Sequence, residues 1–441
     1  MKWFVGTLVL LAAGVVLEWG LLVYATYVLL GVVLASRALT SRWIDSIDVE
    51  RHIDATCIEI GESAAVRLEV RNRGVFTVPW VLVEDAAPLR ALGQIPARLE
   101  LTGSRILLEK LPPAGQSVFS YVVTFRARGY YQFGPSWVES GDLFGLHRRY
   151  RVLGKPAYVL VRPTVVPLEG YDIQSRRPLG EVRFAHRLYE DPTRISGVRE
   201  YQVGDPLSRI HWKATARLGK FHSKTYEPSC VAEAMILLDF HESSYSLRGN
   251  SARVELAVVA AASLASALTQ LGQPVGFVTN GRDAVDRIQR EGPSIEFSTR
   301  HAAKDAAQQE DPNERLQPIV LPIGRGEESY VRLVDTLARL ELTDGMDLAK
   351  LIGEVRPRLP RNATLLVVAP AITENVAMAL AELNHQGFSV SVIWVVFDEL
   401  ELPEWAEHPD WARWLIASGV EVQRLEDEAG VAGVCSRRML S

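Results

Sequence analysis

The sequence predicts a transmembrane helical hairpin, then an antiparallel β-sandwich, then an α/β domain with a mostly parallel sheet. Three observations support this order: an apolar N-terminal stretch, short alternating runs after it, and β runs that alternate with helical stripes from Val231 onward. The length of 441 residues exceeds one hydrophobic core. The predicted boundaries are 1–38 for the hairpin, 44–166 for the sandwich, 167–230 for a linking segment and 231–441 for the α/β domain.

The apolar stretch runs from Trp3 to Ser36 and is interrupted only around Glu18, Trp19 and Gly20. It is too long for one membrane span, so we predict two short helices, residues 2–17 and 21–36. Lys2 precedes them and Arg37, Arg42 and Arg51 follow. The positive-inside rule then predicts a two-helix protein of the cell inner membrane with its soluble domains in the cytoplasm. The alternative is a cleaved signal peptide followed by one anchor, which would place the bulk of the chain outside.

Charge and cysteine content exclude several classes of protein. The net charge is −5 with both signs well mixed, which indicates no nucleic-acid partner. Cys57, Cys230 and Cys435 lie far apart without a CxxC pair, so the sequence predicts neither a zinc knuckle nor a disulfide framework. A reducing compartment fits these thiols.

Strand-like alternation fills residues 44–166, most clearly at 65–70, 78–83, 117–125 and 158–161. Period-two patterns with β-branched residues indicate half-buried strands, and turn signals separate them. The outline is immunoglobulin-like. Two further stretches, 128–135 and 142–146, combine glycines with aromatic or apolar residues, and we predict that they form structural corners.

A segment dense in charged and aromatic residues covers 197–228. Gly204, Asp205 and Pro206 predict a turn in which Asp205 caps a helix over 207–216. Residues at three- and four-residue spacing then share one helical face, with Trp212 as its apolar anchor beside Arg209 and Lys213. A strand is predicted at 220–227.

These residues resemble the signature of the bacterial domain-of-unknown-function family fifty-eight, and 128–129 and 142–146 are similar to its upstream pattern, with Leu143 in place of the usual proline. The resemblance implies a membrane-anchored chain with a von Willebrand factor A-like domain. It also implies that the chain acts together with a MoxR-type AAA+ ATPase and, often, a transglutaminase-like membrane protein. No defined reaction is assigned to the family. The residues carried over as a clamp or docking face are Arg199, Tyr201, Gly204, Asp205, Arg209, Trp212, Lys213 and Arg217.

The same segment holds residue types that could perform acid–base chemistry, namely Asp205, His211 and Lys213. No companion nucleophile stands in a recognisable setting. Charged residues gathered at a turn and a helix usually pair with one another, so we predict a structural clamp of buried Arg–Asp pairs and a packed Trp212. A partner-docking face is the next alternative.

The C-terminal part alternates predicted strands and helices, which is typical of a parallel sheet wrapped by helices. A polar segment at 299–315 is predicted to be a surface loop. The strands are predicted at 234–238, 275–279, 363–368, 390–396 and 420–424, and the helices at 252–271, 327–340, 348–358, 374–386 and 410–418.

The first of these strands ends in Asp239, His241 and Ser243, where metal-binding A domains carry Asp-x-Ser-x-Ser. Imidazole suits magnesium poorly, and residues 368–373 supply no carboxylate. Asp239, Ser243 and Thr279 retain oxygen ligands for weak binding only. We therefore predict a degenerate metal-site edge that binds no metal and docks protein.

Common catalytic and cofactor motifs are missing from the sequence: it has no P-loop, no His-Glu-x-x-His and no Gly-x-Ser-x-Gly elbow. We expect no cofactor and no enzymatic activity. The expected function is a membrane-anchored scaffold that acts with a MoxR-type ATPase in assembly or maturation of client proteins. The alternatives are an outward-facing, metal-dependent adhesion or envelope protein, and an enzyme that uses Asp205, His211 and Lys213.

Overall fold

The structure is a computed structural model of the full chain. It describes residues 2–93, 96–143, 145, 147–168, 189–200, 210–229, 233–245, 250–291, 317–360, 363–396 and 410–433. The chain forms two compact units. The first contains Met1–Thr164, Arg282–Asn313 and Val334–Glu341, and the second contains Val165–Gly281, Glu314–Leu333 and Leu342–Ser441. The surface loop predicted at 299–315 lies outside the described residues.

Two apolar helices open the first unit: α1, Lys2–Val16, and α2, Gly20–Asp45. They pack against each other, and a Cβ atom on Gly14 would lie 3.3 Å from the Leu22 side chain, so glycine permits this close approach. α2 is long and apolar enough to cross a membrane. It continues nine residues beyond the predicted end at Ser36, because its last turns pack on the β-strands that follow.

Eleven strands among the described residues form three sheets in the first unit, with orders β1-β3-β7-β5, β10-β9-β4-β6 and β2-β11-β8. Neighbouring strands are antiparallel except β2 and β11. This β-rich, immunoglobulin-like arrangement confirms the class predicted for 44–166. The strands are β1 Ile47–Ile53, β2 Cys57–Glu59, β3 Ser63–Asn72, β4 Val78–Asp85, β5 Leu99–Gly103, β6 Ile106–Leu111, β7 Gln116–Phe125, β8 Gly129–Phe133, β9 Ser136–Gly141, β10 Arg148–Leu153 and β11 Ala157–Arg162; a short helix, Leu89–Gly93, lies between β4 and β5.

One hydrophobic core joins these sheets. On β3, Ala64, Val66, Leu68 and Val70 alternate inward, as period two requires. The same core includes Ile44 at the end of α2. The helix is therefore continuous with the folded unit.

Two later segments of the chain belong to this first unit. Strands β16, Arg282–Asp283, and β18, Leu340–Glu341, pair antiparallel, and the helix Ala284–Glu291 follows β16. Arg162 on β11 donates to Asp335 at 2.8 Å. The contiguous domains predicted from sequence miss this interleaving, because its contacts join residues more than 150 positions apart.

The second unit contains a mixed six-stranded sheet of order β17-β15-β14-β19-β20-β21. Five strands are parallel and β17 is antiparallel to β15. All five strands predicted for this region are present within one residue of their bounds. They are β14 Glu233–Leu238, β15 Val275–Thr279, β19 Ala363–Ala369, β20 Ser389–Val395 and β21 Glu421–Leu425; the unpredicted edge strand is β17 Ile319–Gly324.

Helices cover this sheet close to their predicted positions. Asn250–Gln270 is apolar enough over Ala252–Gln270 to pass as a membrane span, but 78% of that window is buried in the protein, which makes it a core helix. The others are Glu327–Arg339, whose last residues belong to the first unit, Leu348–Val355, Glu374–His385, Asp410–Ala417 and Glu428–Ala432.

Candidate functional site

The charged and aromatic segment forms a β-ribbon and a short helix. Strands β12, Tyr189–Glu200, and β13, His222–Ser229, pair antiparallel, and the helix Trp212–Leu218 precedes β13. The predicted helix start was wrong: His211 is the N-cap, and its Nδ1 accepts a hydrogen bond from the Ala214 amide at 3.0 Å. The proposed cap, Asp205, lies outside the described residues.

An aromatic patch is formed by Trp212 on this helix and Phe221 just after it, and Leu218 on the same helix is also exposed. Trp212 is 66% exposed and Phe221 is 56% exposed, and their rings meet edge to face with centroids 6.5 Å apart. The prediction of a packed Trp212 was therefore wrong. A seven-residue helix with no buried residue has no apolar face directed into a core.

Basic side chains are exposed on the same stretch of chain: Lys213 and Arg217 on the helix, and Lys220 after it. Hydrogen bonds attach the helix to the adjoining strand β13. His211 donates its amide hydrogen to the His222 carbonyl at 2.8 Å, and the His222 amide donates to Thr215 Oγ1 at 3.1 Å. Buried Ile210 pairs with Ser223 beside it. The patch thus presents apolar and cationic groups from a fixed base.

Four of the eight residues predicted for the clamp are described: Arg199, Trp212, Lys213 and Arg217. Arg199 is exposed on β12 and lies opposite Ser223 on β13. The other four, Tyr201, Gly204, Asp205 and Arg209, lie outside the described residues, so the predicted Arg–Asp pairing stays a prediction.

The second predicted site is the edge of the six-stranded sheet where β14 ends. In chain order the sheet runs 3-2-1-4-5-6, so the strand order reverses between β14 and β19. Ligands of open α/β sheets bind in the crevice at such a switch point. Asp239 stands there, immediately after β14, and its amide donates to the Val368 carbonyl at 3.0 Å.

Polar groups of the protein surround the fully buried Asp239 carboxylate. Oδ1 accepts hydrogen bonds from Asn280 Nδ2 at 2.9 Å and from the His241 amide at 3.2 Å. Oδ2 accepts no hydrogen bond of ordinary geometry among the described residues, although the Ser244 hydroxyl is close enough to favour the charged form. Burial outweighs these contacts and raises the pKa of the Asp239 carboxyl.

Asn280 also belongs to this edge, although it was not predicted from the sequence. Its Oδ1 accepts from the Phe240 amide at 2.6 Å and its Nδ2 donates to the Met346 carbonyl at 2.8 Å. The available signal was its position directly after β15, at the same edge as Asp239. Thr279, predicted as a weak ligand, uses its Oγ1 to accept from the Gly281 amide. This edge is a hydrogen-bonded network that fixes the loops after two strands.

His241 and Ser243 interact with each other, with His241 Nδ1 and Ser243 Oγ 2.7 Å apart. Among the described residues, three potential metal-ligating side chains approach within 4.8 Å only at Glu50, His52 and Glu69, which lie on β1 and β3 and carry no further feature of a site. The hydrogen bonds that Asp239 Oδ1 accepts from Asn280 and from the His241 amide favour a structural role for Asp239.

We expect Asp239→Asn to remove a pH-dependent loss of stability from the second unit. Because the pKa of the folded Asp239 carboxyl lies above its usual value of 3.8, its stabilising contribution is complete below pH 3.8 and decreases as pH rises through the folded pKa. Hydrogen exchange of the full chain in detergent at pH 4 to 7 gives the free energy of local opening for the β14 amides. As pH rises, this free energy should fall in the wild type relative to the variant. A pH-independent difference, or Mg²⁺ stabilisation of wild type alone, would contradict the structural role.

Residues 128 and 142, in the two upstream stretches predicted as corners, have buried polar side chains. Arg128 Nη1 donates to the carbonyls of Leu337, Ala338 and Leu340 at 2.8, 3.4 and 3.0 Å. The Asp142 carboxylate accepts from the His147 amide at 2.8 Å and from the Ser36 hydroxyl of α2. Each side chain joins parts of the first unit that are distant in sequence.

Residues 197–313 match the family described as "Protein of unknown function DUF58". The chain is also 23% identical, over 292 residues, to the uncharacterized protein YeaD of Bacillus subtilis (strain 168), covering 66% of this chain and 70% of that protein. Each match is a similarity over part of the chain.

Solved structures resemble the chain over about a quarter of its length. The CARDB domain of the PF1109 protein from Pyrococcus furiosus, in complex with di-metal ions, is 16% identical and covers 26% of this chain and 91% of its own, with a TM-score of 0.18. The seventh ScaB type I cohesin of Pseudobacteroides cellulosolvens is 13% identical and covers 28% of this chain and 96% of its own, with a TM-score of 0.18. Neither likeness supports a functional conclusion.

Proposed function

We propose that this chain is a membrane-anchored scaffold without catalytic activity, whose second unit docks a partner protein. One observation carries the proposal: α2 begins as an exposed apolar helix and ends inside the core of a folded unit. Leu21, Tyr24 and Val28 are exposed, whereas Ile44 is fully buried. An exposed apolar surface of this kind indicates a lipid or protein environment.

The anchor is proposed to be a two-helix hairpin with both ends in the cytoplasm. α1 and α2 pack together, and the chain turns at Glu18, which has a positive φ of 55°. Lys2 lies at the start of α1, and Arg37 and Arg42 lie in the last part of α2, so all three flank the same open end of the hairpin. The positive-inside rule then places both soluble units beside the inner leaflet of the cell inner membrane.

The aromatic patch is the proposed docking face. Tryptophan and arginine dominate binding energy at protein interfaces. The exposed Trp212–Phe221 pair offers an apolar anchor, and exposed Lys213 and Arg217 on the helix of Trp212 offer charge selectivity. His211 Nδ1 caps the helix by accepting the Ala214 amide hydrogen bond, so only Nε2 is left for the acid–base role in the enzymatic alternative. The exposure of Trp212 and Phe221 is the observation that favours docking.

The partner is proposed to be a MoxR-type AAA+ ATPase, with a transglutaminase-like membrane protein as a further component. Support comes from the DUF58 match and from the signature residues that carry the family resemblance. The second unit is proposed to be von Willebrand factor A-like, because its sheet has the order 3-2-1-4-5-6 with one antiparallel edge strand. In this arrangement the ATPase supplies the energy for maturation of client proteins.

We expect Trp212→Ala/Phe221→Ala to reduce recovery of the ATPase about tenfold or more when the full chain is cross-linked and purified from membranes. Truncation of a central aromatic pair commonly costs an interface about 2 kcal/mol or more, which exceeds a tenfold loss of affinity. Quantitative mass spectrometry of the co-purified proteins gives the measurement.

Met378→Ala/Trp414→Ala is the matched control, because it truncates two other exposed apolar residues of the second unit. It should leave recovery unchanged. An equal loss in the control, or no ATPase recovered with wild type, would contradict the docking proposal. Labelling of the C-terminus by an impermeant reagent in unbroken cells would contradict the cytoplasmic topology.

A further inference from the structure

We propose that the surface where α2 leaves the membrane binds the headgroups of anionic phospholipids. We call this surface the exit collar. It consists of Arg37 and Arg42 on α2, Leu143 between β9 and β10, and Arg149 on β10. The proposal rests on the membrane anchoring proposed above and adds a lipid class to it.

Two hydrogen bonds hold the collar segment against the helix. The buried Asp142 carboxylate accepts from the Ser36 hydroxyl, and Arg149 Nη1 donates to Ser41 Oγ at 2.8 Å. Ser36 and Ser41 lie five residues apart, a rise of about 7.5 Å along the axis. Asp142 and Arg149 therefore contact the helix along the length at which it would leave the proposed membrane span.

The collar has a surplus of positive charge. Arg37, Arg42 and Arg149 are exposed, and no carboxylate lies within ion-pair distance of any of them among the described residues. Arg37 is one helical turn from Ser41, to which Arg149 is bonded, so these two guanidinium groups share one side of the helix. Unpaired guanidinium groups bind phosphate well because they offer several donors in a planar fork.

An apolar side chain stands beside these cations. Leu143 is 77% exposed although it directly follows the buried Asp142, which places it at the level of Ser36. A leucine held at that level is positioned to insert into the boundary between headgroups and acyl chains. Basic residues with an adjacent apolar residue are the combination that binds anionic membrane surfaces.

The proposed membrane span of α2 is shorter than the hydrocarbon core of a bilayer, which places the collar close to the lipid. Residues 20–35 of α2 form a helix about 24 Å long, whereas the hydrocarbon core of a bilayer is about 30 Å thick. A span that is too short is accommodated by local thinning and by flanking basic residues that extend to the headgroups. Both responses bring Arg37 and Leu143 into contact with lipid.

The test is a lipid titration of the full chain in detergent micelles, followed by native mass spectrometry, with phosphatidylglycerol and phosphatidylcholine of the same chain length. Each basic residue near an anionic surface strengthens binding about fivefold. Arg37→Gln/Arg149→Gln should therefore weaken phosphatidylglycerol binding about thirtyfold and leave phosphatidylcholine binding unchanged. Leu143→Gln should weaken binding of both lipids.

Arg67→Gln/Arg126→Gln is the control with the same charge change on exposed residues of the first unit, and it should retain wild-type binding within about twofold. Equal weakening in this control, or full competition by inorganic phosphate, would overturn the lipid site. Carbonate extraction separates the two proposals: the collar variant must stay in the membrane pellet. Release of the wild-type chain by carbonate would instead defeat the anchoring proposal.

Discussion

Arg51→Ala is expected to lower the unfolding free energy of the first unit by about 3–5 kcal/mol, the usual cost of leaving one partner of a buried ion pair without the other. Arg51 and Asp85 are almost completely buried and form an ion pair. The guanidinium also donates to Ser136 Oγ at 2.8 Å and to the Lys155 carbonyl at 2.6 Å. Removing it leaves a buried carboxylate whose remaining partners are neutral.

Tyr121 belongs to the same cluster and is also buried. Its hydroxyl donates to Asp85 Oδ2 at 2.7 Å, and burial together with the Asp85 charge raises the pKa of the phenol well above its usual value of 10. Gly134 leaves the space that the guanidinium occupies, since a Cβ atom there would clash with Arg51. A side chain at residue 134 would therefore displace the Arg51 guanidinium from this cluster.

Hydrogen exchange of amides in β1, β4 and β9, measured on the full chain in detergent, gives the loss of local stability. Arg51→Met/Asp85→Leu is the informative comparison, because removing both charges avoids the unpaired carboxylate and should cost less than Arg51→Ala alone. A loss below about 1 kcal/mol in the single variant would show that the pair is dispensable.

The second large effect is expected for Arg128→Ala, at about 2–4 kcal/mol of local stability, because hydrogen bonds from a charged donor are worth about 1.5–3 kcal/mol each and are not additive. The buried guanidinium binds three carbonyls at the end of the helix Glu327–Arg339 and just beyond it. Carbonyls in the last turn of a helix have no partner within the helix. The variant leaves them buried and unpaired.

Faster exchange should be confined to amides of 282–291 and 334–341 and of β8, because these parts of the first unit depend on Arg128. Arg128→Lys should recover only part of the loss, because a lysine side chain ends one bond short of Nη1, the atom that donates to the three carbonyls. Exchange that accelerates equally throughout the second unit would argue that Arg128 has no local role.

Local periodicity carried most of the fold prediction. The strands at 234–238 and 275–279 and the helix at 374–386 were predictable because β-branched runs and three- to four-residue stripes report burial directly. β17 was missed, since Pro322 interrupts its pattern. The contacts of Arg128 with residues after 336 could not be foreseen, because nothing in the local sequence indicates a partner two hundred positions away.

The candidate sites were harder to predict for the same physical reason. Spacing placed Trp212 on a helical face, but spacing does not show whether anything covers that face, and the ring is exposed. His211 caps the helix that begins at Trp212, because its imidazole nitrogen accepts the Ala214 amide hydrogen bond, whereas the predicted cap, Asp205, lies outside the described residues. Asp239 could be identified from its place after a predicted strand. Asn280 could not, because its identification depends on which strands are neighbours in the sheet.

The interleaved first unit has a consequence for the order of events during protein synthesis. Its strands β1–β11 are complete by residue 162, yet Arg128 and Arg162 acquire their partners only when the ribosome has passed residue 341. Under the membrane anchoring proposed above, the nascent chain is by then tethered through its hydrophobic N-terminus. The first unit would then finish folding beside the membrane, after much of the second has emerged.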